Sequence, residues 1–478
     1  MNARFLFTCV ASLTIQLSTS AADPVGCTND SSISSWLDGC GECAGLFEGC
    51  NAEEDDWKGR VGGASRFRFI DERNRLRPPV PAGRSTYNQY RFTPFAELTY
   101  SKNLQLYVQA IEAQTFNADL PELQIDENRA DLLQFYADVK LADSDSKGAL
   151  RLRVGRQMLS YGSQHLISPL AWANTFRNFE GFRLYYDDKD FSVDAFAVQP
   201  VNGASGNLNR PTSYDTPDQS RWFSGIYAVN KNAPGGTLDL YWLWLNERAD
   251  APNLIDGNRH TFGTRYAGKK KLSDKGSPSV TGTWDLEGAL QFGQEDFLTG
   301  LNQNIRAGFI SLNAGVSLDD VTWKPALAGI FYYGSGDRNP VNGTNNTFST
   351  LFPLGHAYWG QIDNFNGSNL IDYGLHLTVK PTEKLTFLTG THWFTKASRQ
   401  DAIYNIAGVP FGGAVPTAGG NLGTELDLVA TYQLRKDLQL QAGYFWFWYG
   451  NAVNGHPVPA VANRSDAHMF YSFIDWTF

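Results

Sequence analysis

Beyond its first two dozen residues the chain has no apolar run of the 18 or more residues that a spanning helix needs. It is poor in sulfur, with three methionines and five cysteines in 478 residues, and every cysteine falls before residue 51. A basic excess is missing too. Lys+Arg number 40 against 49 Asp+Glu, a net charge of 40 − 49 = −9, which argues against a nucleic-acid binder. Catalytic signatures are equally scarce. None of the seven histidines is followed by Glu, so there is no H-E-x-x-H helix, and no G-x-S-x-G elbow occurs. Gly263 to Lys269 spaces like a P-loop, but Lys270 stands where Ser or Thr belongs and no helical pattern follows. His165 lies near Ser160 and Ser163, a spacing common in loops. Asp337-Arg338-Asn339 through Asn342-Gly343 faintly resembles a calcium loop, yet Phe348 occupies the place of its closing carboxylate. No enzymatic activity, metal or cofactor is expected.

What the chain has is aromatics, 14% of its residues, and 46 glycines, at a mean hydropathy of −0.33. Such a composition is neither disordered nor that of a helical membrane protein. It fits the one membrane class whose segments are apolar on only every second residue, the β-barrel.

The N-terminus reads as an address. Arg4 precedes a mostly apolar stretch from Phe5 to Leu17, and Ser20-Ala21-Ala22 offers small residues for cleavage, so residues 1–22 are expected to be a signal peptide. Residues 23–56 hold nine acids and no Lys or Arg; residues 57–478 therefore carry 49 − 9 = 40 acids and, setting Arg4 aside, 40 − 1 = 39 bases, which is nearly neutral. This leader also holds Cys27, Cys40, Cys43 and Cys50. In an oxidising compartment they are disulfide candidates with three possible pairings. Zinc is the weaker alternative, because Cys40-Gly41-Glu42-Cys43 has no second C-x-x-C partner and no nearby His. The leader could plug a pore, dock a periplasmic partner or act as a spacer.

From Trp57 the pattern turns to period two, with Lys58, Arg60, Arg66 and Arg68 on one face and Trp57, Val61, Phe67 and Phe69 on the other. Eighteen such segments are expected, near 57–70, 88–100, 104–115, 131–141, 149–157, 180–187, 191–199, 221–230, 237–246, 259–267, 281–293, 304–313, 322–333, 369–380, 384–395, 423–434, 437–448 and 466–478. Long connections alternate with short ones such as Ser101-Lys102-Asn103 and Arg435-Lys436. Ile474, Trp476 and Phe478 alternate to an aromatic end that resembles the insertion signal of outer-membrane barrels. The fold class is all-β: a closed antiparallel transmembrane β-barrel of about 18 strands over 57–478, with short periplasmic turns and long extracellular loops, in the cell outer membrane of a Gram-negative organism.

If Phe67, Leu152, Phe182 and Leu286 face lipid, then Arg66, Arg68, Arg91, Arg151, Arg153, Arg183, Arg265 and Arg306 face inward, as do Glu97, Asp138, Asp194, Asp239, Asp285, Glu287, Asp372, Asp427 and Asp475. Charge at this depth suits a water-filled wall and not lipid. Arg156 and Arg338 sit at strand ends and are expected to extend the basic arc toward the outer mouth. The bases cluster in early strands and the acids in later ones, which predicts a transverse field and a modest anion preference.

Gly155-Arg156-Gln157 with Tyr161-Gly162, Ser168-Pro169 and Trp172-Ala173-Asn174-Thr175 resembles the alginate export family of outer-membrane proteins. Ser335-Gly336-Asp337-Arg338, Asn345-Asn346-Thr347-Phe348, Phe352-Pro353, His356-Ala357-Tyr358 and Gly423-Thr424-Glu425-Leu426-Asp427 extend the resemblance. It implies an 18-stranded monomeric barrel and passage of an anionic polysaccharide. Two departures stand out. The family's alginate exporter closes its periplasmic mouth with a long loop between the sixteenth and seventeenth strands, where this chain has only Arg435-Lys436-Asp437, and the lumen here is mixed in sign. A general porin for small solutes is the alternative, and a barrel-borne enzyme or adhesin a third class. The expected partners are outer-membrane lipid and the transported solute, with no nucleic acid.

Overall fold

Alternating apolar and polar side chains place opposite faces of an extended chain in different surroundings. From Trp57 onward the chain meets that demand with one closed antiparallel sheet. The computed structural model describes residues 57–76, 83–143, 148–202, 214–249, 255–273, 278–297, 302–410, 412–457 and 465–478. The expected signal peptide and the leader with Cys27, Cys40, Cys43 and Cys50 lie outside the described residues.

Eighteen strands make the ring: β1 Trp57–Arg73, β2 Arg84–Tyr100, β3 Leu104–Phe116, β4 Asn128–Asp143, β5 Ala149–Gln157, β6 Phe179–Asp187, β7 Phe191–Asn202, β8 Arg221–Ala233, β9 Gly236–Glu247, β10 Ile255–Ser273, β11 Val280–Phe297, β12 Asn302–Leu318, β13 Ala326–Gly334, β14 Leu370–Val379, β15 Leu385–Lys396, β16 Asn421–Arg435, β17 Leu438–Tyr449 and β18 Ala467–Thr477. Each pairs antiparallel with the next, and β1 pairs with β18 from Ala64↔Thr477 to Arg73↔His468. Among the described residues, closure leaves no unpaired sheet edge toward lipid. The seam continues to Phe478, whose N–H and C=O both bond Gly63 at 2.9 Å. The glycines are required there, since a Cβ on Gly62 would lie 2.6 Å from the Phe478 carbonyl oxygen.

Short connections at 101–103, 188–190, 234–235, 380–384 and 436–437 gather at one end, and the connections 158–178, 335–369 and 397–420 at the other. Strand ends differ from the sequence expectation where water bathes both faces. The β10–β11 pairing runs past the alternating region to Lys271↔Thr281, because backbone bonding continues where no apolar face is needed. At the long-loop end β11 and β12 are 18 and 17 residues long, so their connection shrinks to 298–301. The thirteenth strand begins at Ala326, not 322, since 319–325 is spent on a turn.

Phe67, Val108, Val154, Phe182, Leu240, Leu290 and Leu375 project outward and are exposed, as a lipid-facing band requires. The buried core lies inside the barrel. Inward residues such as Phe223, Phe309, Tyr332, Phe394, Phe445 and Phe447 pack against loop residues Leu166, Phe348, Trp359, Ile362 and Phe365.

Candidate functional site in the barrel lumen

The inward arginines fall into two groups. Arg66, Arg68 and Arg91 are only 7%, 3% and 5% exposed and hold backbone carbonyls of the loop 158–178. Arg66 donates to Ala171 O at 3.2 Å and to Asp475 Oδ2 at 3.0 Å. Arg68 donates to Trp172 O at 2.8 Å and to Gln89 Oε1 at 3.0 Å, with its guanidinium 4.7 Å from the Trp172 ring centre. Arg91 donates to Ala171 O and Ala173 O at 3.1 and 2.8 Å. These cations anchor a loop; open solvent does not reach them.

The second group stands nearer the short-turn end. Arg151 and Arg153 share the Asp138 carboxylate at 2.6 and 2.8 Å, and Arg183 meets Asp194 at 2.7 Å. Their side chains keep 20%, 16% and 22% exposure. Tyr185 adds a hydroxyl to Asp138 at 2.6 Å, and Arg153 lies 4.0 Å from the Tyr136 ring centre. On β9–β11, Arg265 binds Asp285 at 2.8 Å and Asp239 at 3.3 Å. The strand-by-strand separation of sign in the sequence therefore does not become a separation in space, because register sets each of these arginines beside an acid.

Three other arginines stand apart from both groups, and of these Arg306 departs from its expected inward phase. Arg306 falls on the exposed outward phase of β12, opposite Phe292. Arg156 has the opposite parity to Arg151 and Arg153 and packs at the rim against Glu180 at 3.1 Å and Asp215 O at 2.8 Å. Arg338 is exposed on the connection 335–369.

Two loops fill the lumen and meet there. The loop 158–178 crosses from β5–β6 toward β1–β2, and the segment 346–369 comes from β13–β14. Their backbones pair, with Phe352 N–H to Leu166 O and Ser168 N–H to Phe352 O, both 2.9 Å. Trp172 stacks on His356 at 3.6 Å between ring centres, and its indole N–H reaches Asp363 Oδ2 at 3.1 Å. Arg177 donates to Ser168 O and Pro353 O, both at 3.1 Å. His165 Nδ1 meets Ser163 Oγ at 2.6 Å and Glu287 Oε2 at 2.8 Å, and its Nε2 meets Ser311 Oγ at 3.3 Å. That constellation has the donor order of a hydrolytic triad, but the imidazole is sealed with its ring centre 3.8 Å from that of Tyr358; it pins the loop to β11 and β12.

A buried acidic cluster lies beneath the second loop. Glu425 and Asp427 of β16 point inward, and Glu425 Oε1 accepts the Ile362 N–H at 2.8 Å. His392 Nδ1 meets Asp372 Oδ2 at 2.8 Å, and His392 Nε2 meets His376 Nε2 at 2.9 Å. Sequence reading placed Asp372 and Asp427 inward and passed over Glu425, although the Glu-Leu-Asp spacing puts both acids on one face. The strings that carry the family resemblance thus converge in space, supplying both inward loops and the acids under them.

The family model described as alginate export matches residues 58–467. Among solved structures, the chain is similar to the outer membrane protein OprD from Pseudomonas aeruginosa, at 12% identity and TM-score 0.52 over 89% of this chain and 96% of that one. OccAB2 of Acinetobacter baumannii gives 14% identity and TM-score 0.54 over 88% and 98%. OccK11 of Pseudomonas aeruginosa gives 15% and 0.53 over 88% and 96%. No curated protein matches the chain by sequence.

Proposed function

The chain belongs to the alginate export family, and from that premise we propose that its barrel exports an anionic polysaccharide across the cell outer membrane. Family and fold are those of transport pores rather than enzymes. The observation that carries the finer reading is the β4–β7 patch. Among the described residues, Arg151, Arg153 and Arg183 ion-pair only with Asp138 and Asp194, a local excess of 3 − 2 = +1, and their side chains keep 20%, 16% and 22% exposure. A passing uronate can take the donors the aspartates leave free, and the Tyr136 and Tyr185 rings line the same wall. Because each cation is already partnered, the hold on any one sugar unit is weak, which suits transit better than capture. The near-balanced lumen also favours a second reading, a general porin for small solutes. Residues 1–22 as signal peptide and 23–56 as a periplasmic leader belong to the same proposal.

In planar bilayers, polyuronate added to the periplasmic side should interrupt the current at concentrations about tenfold or more below those of a neutral glucan of equal length. Equal blocking by the two polymers, or indifference to both, would leave the small-solute porin as the better reading.

A further inference from the structure

Strand β16 sets Glu425 and Asp427 two residues apart on the inward face, with 0% and 1% of each residue exposed. Alternation along an extended strand sets the two carboxyls side by side beneath the loop. Neighbouring carboxyls shut away from water disfavour the full ionisation of both.

Little else nearby neutralises the pair. Glu425 Oε2 and both Asp427 oxygens meet no donor of their own in good hydrogen-bond geometry. From β15, His392 is engaged by Asp372 and His376 and reaches Asp427 Oδ2 only at 4.0 Å. From β17 the facing residues are Phe445 and Phe447. Tyr471 of β18 spends its hydroxyl proton on Gln441 Oε1 at 2.7 Å, and Asp363 of the loop is a further acid, held by the Trp172 indole N–H at 3.1 Å. Among the described residues, no Lys or Arg is ion-paired to either acid. Two full negative charges buried this closely are strongly unfavourable without water.

The loop is the side from which water is kept out. Gly360 covers the Glu425 carboxyl so tightly that a Cβ there, at φ +79°, would lie 2.3 Å from Oε2. The adjoining Ile362 N–H is the loop's bond to the pair. Hydrating both carboxylates therefore means lifting 360–362 away.

We propose that Glu425 and Asp427 form a proton-holding latch on the inward loop. With one shared proton the pair seats the loop 355–369 in the lumen. When that proton passes to lumen water, two carboxylates remain, water enters and the loop lifts. Conductance rises as pH rises. The latch rests on the barrel being a pore, whichever solute it carries.

The test uses the full chain, wild type beside E425Q and D427N. Either amide keeps the size and a donor for the remaining carboxylate but holds no titratable pair. Two readouts are followed from pH 5 to pH 9: single-channel conductance, and hydrogen-exchange protection of 355–369 in detergent corrected for intrinsic rate. Wild-type protection should fall about tenfold or more across the range while both variants change by less than about twofold, with conductance following in the opposite sense. Amide variants that titrate like wild type, or a wild-type loop whose protection does not change, would overturn the latch. A shift on adding EDTA would replace the proton by a metal and also overturn it. Loop exchange that responds to pH in a barrel that carries no current would keep the latch and remove the pore reading instead.

Discussion

Asp138 takes two arginines and a tyrosine hydroxyl at 2.6 to 2.8 Å, and that sharing explains how a lumen can be rich in charge yet nearly neutral. Replacing Arg151, Arg153 and Arg183 together by Ser removes three cations and leaves Asp138 and Asp194 unpaired, so the local charge falls from +1 to −2. Reversal potential under a salt gradient should move toward cation preference, and the shift should shrink as ionic strength rises and the Debye length contracts to a few ångström. A variant that keeps wild-type selectivity at low salt would make these arginines purely structural. The inward phase of Arg66, Arg68, Arg91, Arg151, Arg153, Arg183 and Arg265 was legible because alternation is local. Their partners were not: Arg66 finds Asp475 across 409 residues, which only ring closure brings together. Arg306 was misread because Arg and Phe292 share the outward face near the rim, where alternation in polarity breaks down. For the leader, non-reducing mass spectrometry of the exported protein should find Cys27, Cys40, Cys43 and Cys50 in two disulfides; four free thiols or bound zinc would contradict this.

At the scale of elements, strands follow from period two, whereas inward loops have no period to announce them. The usable signal was composition. Trp172, Phe348, Phe352, Trp359 and Phe365 are too many large aromatics for loops in water, and they bury themselves in the lumen instead. Trp359 is 1% exposed and packs edge-on against Tyr332 at 5.4 Å between ring centres. Trp359→Ala should cost about 3–5 kcal/mol of loop stability, lost from the loop while the strand ladders keep theirs. Hydrogen exchange should show 355–369 losing protection with β14 to β17 unchanged. Uniform loss over the barrel would mean that the loop is part of the wall's own stability. Excising 359–366 and bridging with glycines should raise single-channel conductance; an unchanged value would place the narrowest point elsewhere.

For the whole molecule, a closed eighteen-strand ring in the outer membrane provides the path, and two apposed loops occupy it. On the proposed function, selectivity rests on the half-buried β4–β7 arginines, while occlusion rests on loop packing and on the acids beneath it. The most direct check is polymer release from proteoliposomes loaded with a mixture of polyuronate and neutral glucan of matched length, with wild-type and loop-excised protein reconstituted in parallel. Polyuronate should leave in proportion to protein and faster from the excised variant, and the neutral glucan should stay behind. Retention of both polymers by both proteins, while small ions pass freely, would contradict polysaccharide export.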